Sequence, residues 1–329
     1  MNNTPLSMPN LEQLKEAQVR VNNSPHVRRT PLLNNIDVPK EGASSQCFLK
    51  LESLQKTGSF KIRGMVNLFA AHEKAIRENG AVTMSAGNAG KAFAFLAGQL
   101  QIPAATVCMP NTVPADRVKS IEALGANVVL TTNEGLFPKV EEYVGQGRIL
   151  AHPFDSHELM AGHASVGLEI LEDCPDADII AVCCGGGGLV GGVAAAVKLS
   201  GSKAKIFAVE PTGAPCLFNS MKEGKAANIS PHTIAHGLAP PFAGQLCYEY
   251  AKEFVDDVVL VTDDELVEAT RFAYSNGILA ETSGCAGIAA LMFGKLGDTK
   301  GKKVVCVVSG SNISPEDLQE ALAGNAKFH

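Results

Sequence analysis

Apolar residues in this chain gather in short unbroken runs instead of alternating with polar ones. The runs at 81–84, 104–109, 126–130, 179–184, 206–209, 258–261 and 304–308 stand apart from one another. Each predicts a strand buried on both faces. Helical spacing fills the intervals: Leu11, Leu14, Ala17 and Val21 near the start, and Ile62, Val66, Leu68, Phe69 and Ala70 after a short alternating strand at 47–52. Thr30-Pro31-Leu32-Leu33 reads as a short extended lead-in. Buried strands alternating with helices predict an α/β protein, with mostly parallel open sheets flanked by helices. The close-set runs between Ala81 and about Arg148 predict a second, smaller sheet. The expected division is a large domain of residues 1–80 and 149–329 and a small domain of 81–148, with 151–155 as the return.

Composition narrows the class. With 329 residues, 46% of them hydrophobic, the chain can bury a large core. A net charge of −6 with interspersed charges offers no basic face to nucleic acid. No stretch approaches the roughly 20 apolar residues of a membrane span, and Met1-Asn2-Asn3-Thr4-Pro5 does not read as a signal peptide, so a cytoplasmic protein is expected. Nine cysteines, without a CxxC pair and often inside apolar runs, read as reduced core residues.

Candidate chemistry begins at Thr57-Gly58-Ser59-Phe60-Lys61-Ile62-Arg63-Gly64. Gly58-Ser59 reads as a strand-to-helix turn with Ser59 as the N-cap, which puts Lys61 in the first helical turn. A cation is disfavoured there by the helix dipole and by apolar Phe60 and Ile62, so its pKa should fall and its amine become a nucleophile. Ser85-Ala86-Gly87-Asn88-Ala89-Gly90 lies between a strand and a helix, and its small residues let backbone N–H groups face an anion. Gly185-Gly186-Gly187-Gly188-Leu189 occupies the equivalent place after the 179–184 strand, as a phosphate loop would. Gly186, Gly188 and Gly191 also spell GxGxxG, with Glu210 about twenty residues on. A nicotinamide oxidoreductase is therefore the rival from another class. That rival leaves Lys61 and the 85–90 loop without a role. Ser309-Gly310-Ser311-Asn312 follows the last strand, where open α/β sheets bind ligands.

Taken in order, SFKIRG, SAGNAG, GGGGL, the Val-Glu-Pro around Glu210 and SGSN resemble the pyridoxal-phosphate enzymes of the tryptophan synthase β-like fold (fold type II), specifically the serine/threonine dehydratase and serine racemase group. The resemblance covers nearly the whole chain. It implies a homodimer acting on small amino acids, with pyridoxal 5'-phosphate bound to Lys61 as a Schiff base. It further implies that Phe60 packs by the cofactor ring, Asn88 binds the ring hydroxyl, Gly185, Gly186, Gly187, Gly188 and Leu189 hold the phosphate, and Ser309 meets the pyridine nitrogen. The substrate carboxylate would rest on Ser85, Ala86, Gly87, Asn88 and Ala89. The implied reaction is β-elimination from L-serine or L-threonine to pyruvate or 2-oxobutanoate plus ammonia.

The departures from the family pattern are informative. Racemases of the group resemble Ser-Ser-Gly-Asn, with the second serine serving the face opposite the lysine. Ala86 stands there, so elimination is expected over racemisation, which remains the alternative. SAGNAG resembles the liver-type serine dehydratases, yet those usually carry cysteine where this chain has Ser309. The group's cation site maps to Glu210 and Ala214, but its second carboxylate falls on Cys216. A monovalent ion such as K+, or none, is expected ahead of a divalent one. His236 stands where the family often has an acidic residue, while His152, His157 and His163 read as structural. With one helix after Ser309, no regulatory domain and no feedback control by isoleucine are expected.

Overall fold

The computed structural model describes residues 8–324, so Met1–Pro5 lie outside the described residues. Among the described residues ten strands form two sheets. They are β1 (Leu32–Ile36), β2 (Gln46–Leu51), β3 (Ala81–Met84), β4 (Ala105–Pro110), β5 (Asn127–Thr131), β6 (Ile149–Leu150), β7 (Ile179–Cys183), β8 (Lys205–Pro211), β9 (Asp257–Val261) and β10 (Lys303–Val308). The larger sheet runs β1-β2-β10-β7-β8-β9 and the smaller β5-β4-β3-β6. Every pairing is parallel except β1 with β2 at the edge.

The larger sheet explains why its strands show no polar alternation. Successive side chains on a strand point to opposite faces. On β7, Ile180 and Val182 enter one core cluster, whereas Ile179, Ala181 and Cys183 enter the other. β10 divides likewise, with Val305 and Val307 on one side and Val304, Cys306 and Val308 on the other. The glycine- and alanine-rich helix Gly188–Leu199 covers the first face and Ala286–Met292 the second, and both sit close because their facing residues are small. All nine cysteines are free and buried.

The smaller sheet extends to β6, two residues past the boundary expected at 148, because Ala81 and Val82 pair with Ile149 and Leu150. Its core also draws on the helix that carries Lys61: Ile62, Met65, Leu68 and Phe69 pack with Phe93, Leu96 and Val107. That helix therefore lies between the two sheets. Among the described residues no helix is long and apolar enough to cross a membrane.

Candidate active site

The carboxyl ends of β3, β7 and β10 open onto one cleft, where a cavity of about 460 Å³ lies between the sheets. Lys61, the 85–89 loop, the 185–189 loop and Ser309 all line it. These are the four stretches singled out in the sequence.

Lys61 is the first residue of the helix Lys61–Ala71. The cap position is Phe60, in a helical conformation and without a side-chain cap, so Ser59 does not cap the helix. Ser59 is instead tied by its backbone to Gly310, and its buried hydroxyl has no partner among the described residues. Part of the Lys61 side chain faces the cleft, yet its amine is enclosed, donating to the Pro153 carbonyl at 2.6 Å and lying 4.9 Å from the Phe60 ring centroid. Desolvation lowers its pKa to about 8, against the opposing influence of Cys247 and Glu281. At pH 7 roughly a tenth of the amine is then neutral, against about 0.03% for an ordinary lysine. Attachment of pyridoxal 5'-phosphate to the apoprotein, followed by absorbance, should therefore accelerate as pH rises and level off above about 8. A rate still climbing steeply at pH 10 would contradict the lowered pKa.

The glycine loop fits a phosphate for two reasons. The helix behind it starts at Gly188, so its first-turn N–H groups have no intrahelical acceptor. The loop is also packed hard from behind: a Cβ on Gly186 would meet the Phe154 ring at 2.4 Å, and Gly187, at φ +97°, would meet the Cys247 Cβ at 2.7 Å. Any side chain would push the backbone out of this shape. His163 braces it, with Nδ1 3.3 Å from the Gly188 carbonyl and its ring edge-on to Phe60 at 4.8 Å. Burial holds this imidazole neutral.

The 85–89 loop turns on Ser85, whose hydroxyl accepts from the Gly87 N–H at 3.2 Å, and the helix Asn88–Gln99 begins behind it. Asn88 donates to Glu281 Oε1 at 2.8 Å and accepts from Asn312 Nδ2 at 2.6 Å. Asn312 also binds the Thr57 carbonyl and receives Lys91 Nζ at 2.5 Å. Gly58 has to be glycine here, since at φ +76° a Cβ would lie 2.4 Å from Asn312 Oδ1. The network fixes the Asn88 amide on the wall of the cavity. Desolvation raises the Glu281 carboxyl to about 7, offset in part by its hydrogen bond from Asn88. Neither Glu281 nor Lys91 was singled out in the sequence, because their partners lie 193 and 221 residues away. Ser309 closes the floor: its carbonyl accepts the Phe60 N–H at 3.1 Å, which ties the end of β10 to the lysine.

Glu210 lies off this cavity. It is fully buried, and its two oxygens accept from Leu217 N and Phe218 N at 2.8 Å each, in the first turn of the helix Cys216–Glu223. Desolvation raises this carboxyl to about 8. The Ala214 carbonyl accepts from Cys216 N, and the Cys216 thiol turns to the Pro240 carbonyl. This is the geometry of a capped helix, short of the six or so oxygens a hard divalent ion takes. Among the described residues no cluster of three His, Cys, Asp or Glu could hold a metal. His152 is structural, with Nδ1 accepting from Asp155 N at 2.9 Å. His236 lines the cavity.

Comparison with known proteins agrees with this geometry. The chain is 38% identical over 313 residues to an L-threonine ammonia-lyase of Thermotoga maritima, covering 93% of this chain and 76% of that protein. It is 34% identical over 323 residues to a serine racemase of Oryza sativa subsp. indica, covering 95% and 93%. The solved structure of maize serine racemase superposes with a TM-score of 0.87 at 32% identity, over 97% of this chain and 98% of that one. The model of the family described as "Pyridoxal-phosphate dependent enzyme" matches residues 23–310, a span that holds Lys61, the 85–89 and 185–189 loops and Ser309, and the chain belongs to that family.

Proposed function

We propose that the protein is an L-serine/L-threonine ammonia-lyase. The observation that carries this reading is the convergence, in one cavity, of an enclosed amine of lowered pKa with two loops built for anions. Bound cofactor supplies an electron sink for the carbanion left when the Cα proton is removed. The 85–89 loop holds the substrate carboxylate and sets the Cα–H bond towards Lys61. The Lys61 amine takes that proton as general base. Asn88, fixed by Glu281 and Asn312, would offer its remaining N–H to the cofactor's ring oxygen, and Ser309 would give the ring nitrogen a neutral partner. The β-hydroxyl leaves as water on taking up one proton, for which the resemblance points to the phosphate that the 185–189 loop would hold, the proton gained by Lys61 keeping the balance. Hydrolysis of the resulting enamine yields the 2-oxo acid and ammonia.

Ala86 argues for elimination over racemisation. Reprotonation from the reverse face needs an acid within roughly 3 Å of Cα. The Ala86 methyl on the wall of this cavity has no proton to give. L-serine and L-threonine should therefore give 2-oxo acid and ammonia, with D-serine formed slowly at most, and Ala86→Ser should raise racemisation. Racemisation faster than elimination in the unaltered enzyme would contradict this reading.

Glu210 argues for independence from divalent ions. Activity should survive dialysis against a chelator; recovery of a large lost fraction with Mg²⁺ would contradict the capping role. Buried, unpaired thiols suit a reducing cytoplasm, and resemblance supports a homodimer, which sedimentation would test.

A further inference from the structure

The cleft cavity is polar on one side only. Lys61, Ser85, Asn88, Glu281 and Ser309 belong to the walls already given roles. The opposite end is made by Pro110, Val113, Leu136 and Phe137 from the small-sheet side and by the Ala239–Phe242 segment across the cleft, none of them polar. Phe137 sits in the first turn of the helix Leu136–Gly145 and is 46% exposed, an unusual state for a large aromatic side chain. Its ring meets Phe242 with centroids 5.9 Å apart, and Phe242 meets Phe154 at 5.4 Å. Phe154 in turn backs the Gly186 backbone. A line of aromatic rings thus runs from the glycine loop across the mouth of the site to the small sheet.

We propose that Phe137 and Phe242 form the apolar end of the substrate pocket, so that the site prefers β-hydroxy amino acids carrying an alkyl group on Cβ over L-serine and rejects those carrying a second carboxylate. The inference rests on the lyase reading and deepens it. The substrate's amine and carboxylate are placed by Lys61 and the 85–89 loop, so its β-substituent faces the walls that remain. A methyl group there leaves water for aromatic carbon, which is worth about tenfold in kcat/KM. A carboxylate there meets no base: among the described residues lining this cavity Lys61 is the sole Lys or Arg and is committed to the cofactor, Lys91 and Arg117 line the adjoining pocket on the polar side that shares Asn88 and Glu281, and Glu281 is an acid. Among the described residues lining the cavity the other titratable side chains are the buried thiol of Cys183 and His236, the latter on the polar wall beside Glu281 and Ser283. Desolvating a carboxylate without a partner is costly.

The experiment measures kcat/KM of the holoenzyme for L-serine, L-threonine, 2-amino-3-hydroxypentanoate and 3-hydroxyaspartate, in the unaltered enzyme and in Phe137→Ala, Phe242→Ala and Phe137→Arg. Threonine should exceed serine by about tenfold, the pentanoate should be accepted, and hydroxyaspartate should be on the order of a hundredfold poorer than threonine. The alanine variants should lower the threonine-to-serine ratio several-fold while the bound cofactor's absorbance persists, and Phe137→Arg should raise turnover of hydroxyaspartate. Serine used as well as threonine, or a ratio unmoved in both alanine variants, would overturn this proposal and leave the lyase reading standing. An enzyme that turned over none of the four would overturn both.

Discussion

Replacing Arg63 by alanine is expected to destabilise the protein by about 3–5 kcal/mol, the typical result of leaving buried charge uncompensated. The guanidinium is fully buried and grips two carboxylates in fork geometry: Nε and Nη2 donate to Glu52 at 2.7 and 2.9 Å, and Nη1 and Nη2 to Glu169 at 2.7 and 2.8 Å. Lys50 Nζ, also fully buried, donates to Glu169 Oε2 at 2.6 Å and to the Thr30 carbonyl at 2.7 Å. Two cations thus balance two anions away from water, and removing Arg63 leaves two carboxylates to one ammonium. Urea unfolding of the apoprotein measures the effect through a lower midpoint with little change in slope. Arg63→Lys should recover only part of it, because an ammonium cannot bridge both carboxylates bidentately. A loss below about 1 kcal/mol, the range of exposed pairs, would contradict this account. Burial opposes ionisation of Glu52, but Arg63 overrides it and holds the carboxyl below its ordinary range. A depressed carboxyl stabilises the fold above its unfolded pKa and loses that contribution as pH falls through the folded value. Arg63→Ala should therefore also flatten the loss of stability below about pH 4.5.

Replacing Lys61 by alanine is expected to lower kcat on L-threonine by on the order of 10⁴-fold or more, since the variant loses both the covalent anchor and the general base. The fold should survive, because the amine donates to the Pro153 carbonyl and takes no part in the Arg63 network. Urea midpoints within about 1 kcal/mol of the unaltered protein would show this. Lys61→Arg should fail as completely, since a guanidinium does not deprotonate near neutral pH. Substantial turnover by either variant would remove Lys61 from the mechanism.

What could be read from the sequence was whatever is local. The strands β3, β7 and β10 announce themselves as apolar runs because both of their faces are covered; Lys61 is legible because it opens a helix, and Ser85–Ala89 and Gly185–Leu189 because each joins a strand end to a helix start. β6 was missed, since two residues carry no pattern and Ile149–Leu150 becomes a strand only by pairing with β3. Ser59 misled because a serine before a helix usually caps it; here the bridge to Gly310, 251 residues on, turns its hydroxyl inward. Lys50 and Glu52 were hidden by their own alternation, which suggests a solvent face, whereas the balancing charges come from Arg63 and Glu169. Glu281 was silent for the same reason: nothing near it in sequence shows that it will meet Asn88.

The central claim, that this chain carries its cofactor on Lys61 at the foot of that cleft, is tested most directly by reducing the holoenzyme with borohydride and mapping the labelled peptide. The account predicts a yellow protein whose visible absorbance is lost on reduction, with the pyridoxyl group on the peptide containing Lys61 and on no other lysine, including the partly buried Lys91 of the same cleft. A label on another lysine, or a colourless protein that takes up a nicotinamide dinucleotide instead, would contradict it.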